Sequence, residues 1–132
     1  MSWYSYDRCD ISEFVGKTPT EIINGYDDEI RFRMSDGSKY VMAHIQDCCE
    51  SVSVEDIAGD LNDLLNNPIT VAEERSNFKE TEYGDARWTF YELQGSRGYA
   101  TIRWYGTSNG YYGTGVDIMR VSGPKVADEP SF

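Results

Sequence analysis

An α+β fold, mainly antiparallel β with about six to eight strands and one short helix near 60–66, is what this sequence predicts, and three observations carry the prediction. Short runs alternate apolar and polar residues with period two, and turn signals rich in Gly, Asn, Asp and Ser separate most of them. Aromatic residues make up 14% of the chain, which suits strands better than helices. At 132 residues the chain is about one domain long, enough to bury a core without a disulfide or a metal. It divides into an N-terminal segment 1–13, a single β-rich domain 14–123, and a tail 124–132 whose two Pro and two acidic residues mark it as flexible.

The first expected strand covers 21–25, after Pro19. A hairpin follows. Ile30, Phe32 and Met34 fall on even positions of one arm, Asp36-Gly37 supplies the turn, and the returning arm 39–45 carries Val41, Ala43 and Ile45 on odd positions. Between 50 and 67 the period changes: Val54, Ile57, Ala58, Leu61, Leu64 and Leu65 recur at helical spacing, and Ser53 with Asp56 resembles a capping box. Gly59 breaks a long helix and Val52 with Val54 can extend the sheet, so the helix is placed at 60–66 and Asn67-Pro68 ends it. Four more strands are read at 69–74, 87–93, 99–105 and 116–121. Trp88, Phe90, Ile102 and Trp104, all at even positions, are expected to face the core.

Charge limits the partners. Twenty-three Asp and Glu against twelve Lys and Arg give a formal charge of -11, which repels phosphate backbones and acidic membrane surfaces. Direct nucleic-acid binding and membrane association are therefore not expected, although an acidic face can compete with DNA for a basic protein. No apolar run is long enough to span a bilayer, and the N-terminal residues lack the basic and apolar regions of a signal peptide, which points to the cytoplasm. Cys9, Cys48 and Cys49 are odd in number and two are adjacent, so reduced thiols are expected.

Two polar segments stand out as a working surface. His44-Ile45-Gln46-Asp47-Cys48-Cys49-Glu50 ends a predicted strand, where a scaffold can aim side chains into a pocket. Alternation makes His44 and Gln46 available for hydrogen bonding and turns Asp47 inward, where it needs a partner or a bulge. The bland reading is that Asp47 and Glu50 tie this corner to the helix and the thiols pack as small hydrophobes. A metal site does not follow, because adjacent Cys cannot readily share one ion and no Cys-x-x-Cys or second His completes a set. The second segment runs from Gly106 through Ser108-Asn109-Gly110-Tyr111-Tyr112 to Gly115. Asn109-Gly110 fits a tight turn, four Gly permit close approach to the backbone, and the Tyr pair offers a stacking platform. An ordinary hairpin connection is the alternative. Gly16-Lys17-Thr18 is not a phosphate loop, since Ile11 stands where its first Gly is required, and no nucleophile-elbow or zincin motif occurs.

The segments 44–52, 55–64 and 108–112 resemble those of a family of small, mostly phage and prophage proteins that contain a domain of unknown function. The resemblance covers about 14–121, and Gln46-Asp47-Cys48-Cys49-Glu50 is its densest motif. It implies a phage-encoded accessory protein in a bacterial cytoplasm, a setting in which such proteins often counter host defence. The resulting expectation is a binding protein without catalytic residues, metal or cofactor. Its pocket would be lined by His44, Gln46, Asp47, Asn109, Tyr111 and Tyr112 and would sequester a small nucleotide-type ligand, with Arg31, Arg33, Arg87 or Arg103 supplying local positive potential. Two alternatives stay open: an acidic inhibitor or nucleic-acid mimic directed at a host defence protein, and a small hydrolase using His44. Strand edges and Tyr-rich faces also allow a homodimer.

Overall fold

The period-2 runs become nine strands in two sheets in the computed structural model, which describes residues 5–26, 28–46, 49–110 and 113–122. β1 (Ser5–Cys9), β2 (Pro19–Tyr26), β3 (Glu29–Met34), β4 (Lys39–Ala43) and β9 (Asp117–Ser122) form one sheet in the order β1-β9-β4-β3-β2. β5 (Ser51–Gly59), β6 (Ile69–Thr81), β7 (Gly84–Gly95) and β8 (Gly98–Ser108) form the other in the order β5-β8-β7-β6. All neighbouring pairs are antiparallel. Residues 5–14 belong to this framework, because β1 pairs with β9 and both Ile11 and Phe14 are buried in the core. The tail 124–132 lies outside the described residues.

The core lies between the sheets. Phe14, Phe32 and Tyr40 pack ring against ring, with centroids 5.0 and 4.8 Å apart, opposite Tyr91, Ile102 and Trp104. Trp104 donates its indole N–H to the Met42 sulfur at 3.3 Å, which gives a fully buried polar group a partner.

The expected helix at 60–66 is corrected to a single 3-10 turn, Leu61–Leu64. Asp60 caps it by accepting from the Asn62 amide at 2.9 Å, and the backbone is already extended at Leu65. The helical spacing before it has another cause. β5 bulges between Val54 and Asp56, so its inward apolar residues step from Val52 to Val54 by two and then to Ile57 by three. Ser53 and Asp56, expected as a capping box, are strand residues.

Two core faces also change. Directly opposed residues in an antiparallel pair point to the same side of the sheet. The Asp36-Gly37 turn pairs Phe32 with Tyr40 and Ile30 with Met42, so Tyr40 and Met42 enter the core. Val41 and Ala43, expected inside, lie on the outer face in a small cluster with Met119 and Val121. The Ser96-Arg97 turn holds only two residues, so Thr89, Tyr91 and Leu93 oppose Trp104, Ile102 and Ala100. Ile102 and Trp104 are buried as expected. Trp88 and Phe90 instead face outward, where Trp88 packs on Tyr105 at 5.0 Å.

Candidate functional site

The strand ends bring the two polar segments to one end of the sandwich. β4 stops at Ala43 and β5 starts at Ser51, while β8 stops at Ser108 and β9 starts at Asp117. Ser51 pairs with Thr107, so the 44–50 and 109–116 connections leave the sheets side by side. Gly106 lets the second connection fold down against β8: a Cβ there would stand 2.8 Å from the Thr114 carbonyl oxygen and 3.0 Å from Val52. Thr114 is buried as a result.

His44 is the junction. Its Nδ1 lies 2.6 Å from the Gly115 carbonyl oxygen and its Nε2 lies 2.9 Å from Glu50 Oε2. Gln46 donates to the Glu50 carbonyl oxygen at 2.7 Å and to Glu50 Oε1 at 3.2 Å. The Glu50 side chain is 0% exposed and that of His44 7% exposed, so water contributes little here. Both ring nitrogens face acceptors, and a neutral imidazole has only one N–H. With both contacts made, the second proton sits on the ring, giving an imidazolium-carboxylate pair, or on Glu50, which then donates to Nε2. In either form both ring nitrogens of His44 and the side-chain nitrogen of Gln46 are engaged within the corner.

Beside this corner lies a cleft of about 190 Å³ lined by Arg8, His44, Ile45, Gly113, Gly115 and Asp117. Arg8 reaches it from β1, its side chain 69% exposed and its Nε 3.6 Å from Asp117. Asp117 also borders a second cleft of about 210 Å³ with Cys9, Asp10, Ile11, Glu74, Val116 and Ile118. Tyr91 donates to the Val116 carbonyl oxygen at 3.2 Å, and burial, reinforced by Glu74, pushes its hydroxyl far above the ordinary value. A shallow cleft of about 550 Å³ around the β7–β8 turn, at the opposite end, contains none of the expected site residues. Among the described residues no group of three or more His, Cys, Asp and Glu is arranged to hold a metal ion.

Of the expected pocket residues, His44 and Gln46 meet through Glu50, and Asn109 is exposed immediately after β8. The tight-turn expectation holds for Gly110, whose φ is 97° and whose N–H is 3.0 Å from Ser108 Oγ; Asn109 does not share the positive φ. Asp47, Tyr111 and Tyr112 lie outside the described residues. None of the four expected arginines reaches the cleft. Arg31 pairs with Glu29, Arg33 with Glu21 and Arg103 with Glu55, while Arg87 lies over Phe78. Arg8 supplies the cation instead. Its signal was the alternation Tyr6-Asp7-Arg8-Cys9 in a segment read as lying outside the domain. The expectation of reduced thiols is also corrected: Cys49 is disulfide-bonded, and Cys9 is free.

The profile of a domain of unknown function (DUF7448) matches residues 12–118. The chain belongs to this family. No curated protein and no solved structure matches it. The DUF7448 span includes both polar segments and the His44, Gln46 and Glu50 corner, whereas Arg8 precedes it.

Proposed function

We propose that this protein acts by binding, as a phage-encoded accessory protein countering host defence in a bacterial cytoplasm, and that its site is the loop end around residues 44–50 and 108–115. The ligand class is a small nucleotide-type molecule. One observation carries the reading: the His44 to Gly115 hydrogen bond joins both segments around a cleft that also holds the Arg8 guanidinium. Arg8 offers an anionic group a forked set of donors, and Gly113 and Gly115 leave the backbone accessible. At about 190 Å³ the cleft is smaller than the ~300–1,000 Å³ of pockets that enclose whole drug-sized ligands, so it takes one end of the molecule. Tyr111 and Tyr112 precede Gly113 directly in sequence and are the candidates for stacking on a base.

His44 serves this site as a brace. A hydrolase that used it as a base would have to break a contact with Gly115 or Glu50 before turnover. The formal charge of -11 favours a second reading, an acidic inhibitor that occupies a host protein's basic surface. Denaturing freshly purified protein and identifying released small molecules by mass spectrometry, beside a pull-down from the same lysate, separates the two. A released nucleotide whose affinity falls on Arg8→Ala supports the first. A stoichiometric host protein with no small molecule, in an interaction that weakens steeply with salt, replaces it with the second.

A further inference from the structure

A sheet edge is a template for another strand unless something blunts it. Among the described residues two of the other three edges are blunted: β2 breaks register between Pro19 and Glu21 and between Ile23 and Tyr26, and β5 carries its bulge between Val54 and Asp56, while β1 is described over Ser5–Cys9. β6 differs, keeping unbroken register with β7 from Val71 to Thr81. Residues 11–14 pack against β6, and residues 16 and 17 pair with its start, where the Gly16 amide donates to the Ile69 carbonyl and the Ile69 amide to that of Lys17. Every residue from Glu73 to Thr81 is exposed, including Phe78, whose ring lies 4.9 Å from the Arg87 guanidinium carbon.

We propose that this edge pairs antiparallel with the same edge of a second copy of the chain, with the two-fold axis at Ser76, joining two four-stranded sheets into one of eight. Backbone geometry restricts the register. Opposed residues in an antiparallel ladder both turn their N–H and C=O into the shared gap or both turn them away. A strand paired with its own copy therefore has a residue on the axis. Axes at Glu74, Arg75, Lys79 and Glu80 set a charge against its own copy, and an axis at Asn77 sets Arg75 against Lys79 and Glu74 against Glu80. The axis at Ser76 opposes no like charges and places Glu73 against Lys79 twice. An axis at Phe78 also avoids like charges, but it overlaps only residues 75–81. The Ser76 register further sets the second copy's Glu74 directly across from Phe78. Arg87 is the neighbour of Phe78 on β7, and among the described residues it contacts Ser76 and Phe78 but no carboxylate. The pairing supplies one.

Light scattering over a concentration series tests this on the full chain, with circular dichroism confirming that each variant is folded. The expected mass is twice 15.0 kDa. Lys79→Glu and Glu73→Lys, both at exposed positions, each place like charges opposite one another twice and should weaken dimerisation roughly tenfold or more. Mixing the two single variants pairs Lys with Glu at both sites, and so does the double variant Glu73→Lys/Lys79→Glu, so both should restore the dimer. A wild-type chain that stays monomeric at every concentration overturns the proposal. So does a dimer indifferent to the single reversals, or one that neither the mixture nor the double variant restores. The result is independent of ligand binding at Arg8, and either reading can fail alone.

Discussion

Replacing Glu50 by Ala tests whether the polar corner holds the loop end together. The Glu50 carboxylate is fully buried and accepts from Gln46, while its other oxygen meets His44. Its removal deletes a charge-assisted hydrogen bond of about 1.5–3 kcal/mol and leaves a buried imidazole nitrogen unsatisfied, a further ~1–3 kcal/mol. Gln46 is exposed, so water replaces its lost contact and it adds little. The expected loss is therefore about 3–5 kcal/mol, the range for breaking one side of a buried pair. For a domain of this size that lowers Tm by roughly 10–20 °C, read by circular dichroism on heating. Glu50→Gln should lose much less, since its amide can donate to Nε2 while Nδ1–H donates to Gly115 and its oxygen accepts from Gln46. A Glu50→Ala variant within about 0.5 kcal/mol of wild type, the range of ordinary surface substitutions, would refute the reasoning.

Three further outcomes follow from local geometry. Gly59 has φ 82° and packs directly on the Tyr99 carbonyl, so Gly59→Ala should cost at least about 1–3 kcal/mol of backbone strain, read as a lower urea midpoint. Lys17 and Ser38 hold the Asp36 carboxyl well below its ordinary 3.8, so its stabilisation is present above that pH and is lost as pH falls below it; the gap in urea midpoint between wild type and Asp36→Asn should close on acidification. Burial and the nearby Glu13 carboxylate push the Cys9 thiol up to about 11, so alkylation at neutral pH should be slow in the folded protein and faster in Glu13→Gln, while Cys49 should react only after reduction.

Local chemistry made the strands legible. β3 and β4 were read from alternation and from Asp36-Gly37, and the turn forms as expected, with Gly37 at φ 91° and the Asp36 side chain accepting from the Ser38 amide. β7 and β8 were legible for the same reason, although both run longer than their apolar centres. The faces of β4 were not legible, because Tyr40, Val41, Met42 and Ala43 are apolar on both sides and alternation cannot choose between them. For β7 the information was present in the two-residue Ser96-Arg97 turn, which reverses the parity of opposed positions.

By itself, then, the sequence determined a mainly antiparallel β domain, most of its strands and turns, and two polar segments as candidates for a site, while their sharing one end came from the strand pairing. The strands, turns and segments depend on backbone preferences and side-chain periods acting within a few residues. The tertiary structure decided which residues meet at that end. The β5 bulge gave strand residues a helix-like spacing, pairing with β9 brought Arg8 from β1 to the cleft, and His44 found Gly115 across 71 residues of chain. Contacts at that separation form only when both sheets are assembled, because the energy that fixes them comes from joint burial.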